Sequence, residues 1–167
     1  FRYVECPLKF YMASIAKLRT NDELSDTIDA LTFGNILHES MEELYKPLLK
    51  LANPNAEIER LANRDTIAAA VDNTMCRLLM NSRKVSSEEF SGDMLLVRDI
   101  IIKYIQRGIM RYDIANEGYT IAGLEKDVDW QCPISNGRMV NLSGRADRID
   151  RRADGALQTI DYKSGST

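Results

Sequence analysis

The chain has 167 residues, 44% hydrophobic and 28% charged, which is enough for one core and, with periodic apolar segments, excludes a disordered chain. Its net charge of −3, with a single histidine, argues against a protein that coats nucleic acid passively but not against an enzyme that meets phosphate through cations. No run reaches the roughly 18–20 apolar residues of a membrane helix, no signal-peptide pattern opens the chain, and Cys6, Cys76 and Cys132 suit reduced thiols in a cytoplasm.

The first part reads as helical. Residues 7–19 carry apolar positions at helical spacing, and a polar stretch from Thr20 to Asp29 separates them from a second helix at about 31–51. There Phe33, Leu37, Met41, Leu44 and Leu48 form one apolar stripe. Asn53-Pro54-Asn55 is a stop signal, a third helix is expected over 55–81, and Ser86-Ser87-Glu88-Glu89 reads as a linker or cap. The last long helix is expected over 91–115, with Leu95, Ile102, Ile105 and Ile109 inward.

The period then changes to two. Over 119–130 the alternation places Ala122, Leu124, Val128 and Trp130 on one face and Ile121, Gly123, Glu125 and Asp127 on the other. Asn136-Gly137 predicts a turn, so 138–151 returns as a second strand, and 156–163 forms a third after Ala153-Asp154-Gly155. With that three-residue loop and Gly155 in the left-handed region, Arg152 pairs with Ala156 and Asp147 lies opposite Asp161. Lys163 shares the face of Asp161, because side chains repeat every second residue. A two-residue Asp-Gly turn would instead set Asp147 opposite Tyr162. Facing carboxylates repel unless a cation neutralises them, and hard oxygen ligands suit magnesium or manganese. A lysine beside them can act on an attacking water or stabilise charge on a phosphate, so metal-assisted phosphodiester hydrolysis is the reaction class that fits.

At this point the sequence resembles a known family. Gly144-Arg145-Ala146-Asp147-Arg148-Ile149-Asp150, with Asp161-Tyr162-Lys163-Ser164-Gly165 following, resembles the two core motifs of the PD-(D/E)XK nuclease superfamily, most closely its RecB/AddB-like branch. Phe33-Gly-Asn-Ile-Leu-His38-Glu is similar to the helical "G…HE" motif of that branch, and Tyr3-Val-Glu-Cys6-Pro-Leu-Lys-Phe10 to its "Y..CP..F" opening. The resemblance implies Asp147 and Asp161 as metal-binding carboxylates, Lys163 as the catalytic lysine, and His38 and the Tyr162 carbonyl as further ligands. It also suggests Glu125 as an accessory acid. In some relatives a cysteine at the position of Cys6 joins three C-terminal cysteines around a 4Fe–4S cluster. Cys76 and Cys132 lack the spacing for one, so such a cluster belongs to a longer parent if anywhere, and Cys6 is expected to be a packed thiol.

Plainer readings compete. Asp147 and Asp161 could be solvent-face charges, and His38, on the flank of its stripe, could be a structural hydrogen-bonding residue. The shared register and the motifs together favour the metal centre. Trp130 and Tyr119 are expected in the core or at an edge, and Arg151-Arg152 at a solvated hairpin tip. The expected fold is therefore α+β with a restriction-endonuclease-like core: one partial domain over 1–167, helical over 1–116 and a three-stranded antiparallel meander over 117–167. The chain starts at Phe1 rather than Met and stops just after its richest motif, which reads as an excised piece truncated before the family's next helix. The expected function is a Mg2+- or Mn2+-dependent DNA exonuclease within a cytoplasmic helicase–nuclease repair or recombination enzyme, with DNA and a helicase as partners and no membrane. The alternative is a catalytically inactive nuclease-like module that binds DNA or braces a partner.

Overall fold

A computed structural model describes Leu8, Tyr11, 28–79, Phe90, 92–134 and 138–163. The expectations for a helix at 7–19, for Cys6, for Ser86–Glu89, for the Asn136-Gly137 turn and for Ser164-Gly165 lie outside the described residues.

Helix α1 (Ala30–Tyr45) begins where Asp29 caps it, its side chain accepting from the Thr32 amide at 2.7 Å. The expected stripe is its inner face: Leu37, Met41 and Leu44 are buried, and Leu48 follows in a short 3-10 turn, Lys46–Leu48. The third helix is two helices, α2 (Asn55–Leu61) and α3 (Arg64–Leu79), because Asn63 starts the second. Its side-chain oxygen accepts from the Thr66 amide at 2.8 Å, which ends one helix and caps the next. Helix α4 (Gly92–Tyr104) continues through a wider π-helical stretch, Ile105–Met110, into α5 (Arg111–Ala115). Ile102 and Ile105 face inward as expected, whereas Leu95 is 45% exposed. Helix α1 packs on α3, α3 on α4, and α2 on α5. Asn55 ties that last contact by donating to the carbonyls of Asp113 (2.9 Å) and Asn116, groups a helix end leaves unpaired.

Three antiparallel strands follow in the order β1 (Tyr119–Pro133), β2 (Met139–Arg152) and β3 (Leu157–Ile160). The loop after β2 has three residues: Arg152 donates to Ala156 at 2.9 Å, and Gly155 sits at φ 86°. Arg148 pairs with Ile160 and Ile149 with Thr159, the register expected from a three-residue loop, and the ladder ends there, one pair short of Asp147 and Asp161. Strand β3 is shorter than predicted, and Asp161–Lys163 follow it outside the ladder.

The apolar face expected on β1 requires correction. Tyr119 and Ile121 are buried, while Val128 and Trp130 are 39% and 67% exposed. Pairing passes from Ile121↔Asp150 to Gly123↔Ile149, a bulge at Ala122, and Glu125 has a positive φ of 45°. Two irregularities so close break the simple alternation. Beyond them β1 and β2 continue as a largely exposed two-stranded ribbon. Cys76 is a buried free thiol and Cys132 a half-buried one. Among the described residues no helix is long and apolar enough to cross a membrane.

Candidate metal centre

Helix α1 brings His38 to the middle of β1 and β2. Its anchored stripe leaves His38 on the flank, half-buried and facing the sheet rather than the core. One ligand atom each from His38, Glu125 and Asp147 lies within 4.8 Å of the others. Nδ1 of His38 is 3.3 Å from Asp147 Oδ1 and 3.8 Å from Glu125 Oε1. The other ring nitrogen, Nε2, donates to the Tyr162 carbonyl at 2.9 Å. The bond from Nε2 orients the ring so that Nδ1 faces two carboxylates, an arrangement that a cation between them makes favourable.

The electrostatics agree. Burial pushes the Glu125 carboxyl above the usual carboxylate range, and the neighbouring Asp147 charge adds to it. Burial also raises Asp147, against the Tyr162 amide, which donates to Asp147 Oδ2 at 2.6 Å. Arg145 is the near countercharge, 2.9 Å from Glu125 Oε2. Asp161 lies against Asp147, but its Oδ2 is taken by Lys163 Nζ at 2.6 Å, which holds Asp161 below the usual range. An imidazole nitrogen among clustered carboxylates is a donor set that fits a divalent cation with oxygen-rich coordination.

The sequence expectations thus divide. His38, Asp147 and Glu125 converge. Asp161 and Lys163 adjoin this group as an ion pair with side chains 54% and 74% exposed. The Tyr162 carbonyl, expected as a ligand, accepts from His38 Nε2. All of these residues except the two aspartates line an open cleft of about 670 Å³, together with Gly34, Glu42 and Arg77.

One group was missed by sequence reasoning. Arg148 is 1% exposed. It donates twice to Asp113 of α5 (2.7 and 2.8 Å) and twice to Asp150 (2.8 and 2.6 Å). Its guanidinium lies 5.2 Å from the Tyr45 ring centroid and 5.4 Å from that of Tyr119. Burial alone would lower the Arg148 pKa, but the bonds to Asp113 and Asp150 outweigh it and raise it. The only signal was an arginine on the central strand of three.

The sequence matches the PD-(D/E)XK nuclease superfamily along residues 1–167. The chain belongs to that superfamily. Its α+β order, helices first and then an antiparallel sheet, is consistent with the fold expected of that superfamily. Relatives within the superfamily include a subunit of an ATP-dependent helicase/deoxyribonuclease from Thermoanaerobacter sp. (strain X514), 24% identical over 99% of this chain and 15% of the relative. The protein of the same name from Clostridium botulinum (strain Loch Maree / Type A3) is 26% identical over 99% of the chain and 15% of the relative. That from Clostridium tetani is 24% identical over 98% of the chain. The chain therefore spans about one seventh of these relatives' length.

Proposed function

We propose that this chain carries the centre of a divalent-metal-dependent DNA exonuclease, the nuclease part of a cytoplasmic helicase–nuclease used in repair or recombination. The observation that carries this reading is the convergence of His38, Glu125 and Asp147 within 4.8 Å, from one helix and two strands, in a chain of this superfamily. The names of the relatives support deoxyribonucleic acid as substrate and a helicase as partner.

In this reading His38, Asp147 and Asp161 hold the metal, with Glu125 as an accessory acid. Bound there, Mg2+ or Mn2+ would supply Lewis-acid polarisation of a phosphodiester and a place for an attacking water. Asp161 would exchange part of its contact with Lys163 for the metal. Lys163, exposed beside Asp161, would present its positive charge to a phosphate in the cleft. The Tyr162 main chain orients its neighbours, its amide on Asp147 and its carbonyl on His38.

Calorimetric Mn2+ titration of the full-length protein and its Asp161→Ala variant tests the reading. Wild type should bind and the variant should bind more weakly. Equal binding in the two, or none in either, would remove the metal centre.

A further inference from the structure

Two of the contacts that shape the centre come from the main chain of one residue. The Tyr162 amide holds Asp147 Oδ2 at 2.6 Å, and its carbonyl holds His38 Nε2 at 2.9 Å. Its side chain points elsewhere: the ring is 8% exposed, and its hydroxyl accepts from Arg148 Nη1 at 3.4 Å. Arg148 is itself fixed by four charge-assisted bonds to Asp113 and Asp150, and it directly follows Asp147 on β2. Asp113 is only 2% exposed and takes a further bond, 2.5 Å, from the Tyr45 hydroxyl. Tyr45 lies on α1, about two turns beyond His38. Every element that supplies the centre therefore meets one buried cluster: α1 through Tyr45, β1 through Tyr119, whose ring centroid lies 5.4 Å from the guanidinium, β2 through Arg148 and Asp150, and the segment after β3 through Tyr162.

We propose that the buried Asp113–Arg148–Asp150 cluster is the positioning device of the metal centre, and that Asp113 of α5 is its keystone although it contributes no ligand. This rests on the metal-centre reading above. A bidentate guanidinium has little freedom, because its planar fork must satisfy two carboxylates at once. Fixing it fixes the Asp147 backbone on one side and the Tyr162 ring on the other. Loss of the Asp113 charge would let both relax, and the ligand atoms would no longer meet at one point.

The test measures Mn2+ affinity by calorimetry on the full-length protein, well below each variant's unfolding temperature. Asp113→Asn should raise the Mn2+ Kd by roughly tenfold, the lower end for outer partners of metal ligands. Tyr162→Phe, which keeps the ring and removes only the hydroxyl link, should raise it by less but measurably. Asp72→Asn is the control. It breaks a comparable pair, Arg98 Nη2 to Asp72 Oδ2 at 2.8 Å, between α3 and α4 away from the centre. It should lower thermal stability and leave the Kd unchanged. A wild-type Kd in both Asp113→Asn and Tyr162→Phe would overturn the positioning role. So would an equal weakening in Asp72→Asn, which would mark the effect as general loosening. Should Asp113→Asn fail to fold, an unchanged Kd in Tyr162→Phe overturns it alone. Absence of Mn2+ binding by wild type would remove the metal centre itself, and this inference with it.

Discussion

Lys163 reaches Asp161 Oδ2 at 2.6 Å, while its side chain remains 74% exposed to the cleft. An exposed cation so placed is free to change partners, from carboxylate to phosphate. Lys163→Ala should therefore retain Mn2+ binding and lose cleavage by about 10²–10³-fold, the loss typical of one charge-stabilising group. Lys163→Arg should recover part of the rate, and single-turnover cleavage on short DNA duplexes reads both. Asp29 gives a pH prediction. The Thr32 contacts hold its folded pKa below the usual 3.8, so its cap contribution is present above that value and fades as pH falls through the lowered one. The difference in thermal midpoint between wild type and Asp29→Ala should be constant near neutrality and shrink in strong acid. A difference that grew on acidification would contradict the capping role. At this scale the nearness of His38 and Asp147 was legible because their residue types and spacing carry a motif. That of Asp113 and Asp150 was not. A charge on a strand or a terminal helical turn reads as solvated until a distant arginine is known to meet it.

The β2–β3 loop decides whether Asp147 and Asp161 can meet, and its length was legible from Ala153-Asp154-Gly155. Gly155 sits at φ 86° with no atom near enough to meet an added Cβ, so a substitution there carries backbone strain alone. Gly155→Ala should destabilise the protein by about 1–2 kcal/mol in urea unfolding, and Gly155→Asn by less. Equal stability in all three would mean that the loop does not hold the left-handed turn. The break at Asn63 was not legible, because the apolar spacing of α2 and α3 carries across it and asparagine is tolerated within helices. The faces of β1 were misread for a related reason. Alternation assumes an unbroken pleat, and neither the Ala122 bulge nor the positive φ of Glu125 leaves a mark in composition. Glu125 comes within reach of His38 and Asp147 at that irregularity, since a bulge re-aims side chains at the end of the covered part of β1.

At the scale of the whole molecule, helices and sheet meet along the line of His38, Tyr45, Asp113 and Arg148, and the helical-then-sheet order was legible from the change of period. With a net charge of −3, the chain has no general attraction for a polyanion. DNA binding should therefore depend on the divalent ion, and EDTA should weaken it in a filter or anisotropy assay at fixed ionic strength. Affinity unaffected by EDTA would place DNA binding on another surface. The same ion should stabilise the fold. At a concentration of about a hundred times its Kd, linkage gives about 2.7 kcal/mol, or roughly 5–10 °C in the thermal midpoint for a domain of this size.

The ribbon formed by the outer halves of β1 and β2 has an optical consequence. The chain has one tryptophan, and Trp130 lies on that ribbon opposite Leu142, 67% exposed and apart from the buried core. Its indole should emit at the long wavelengths of a hydrated ring and be quenched readily by acrylamide in the folded state. Melting the core should shift that emission little. The tryptophan emission of this chain, excited selectively, should thus change little on unfolding and report the local surroundings of the ribbon.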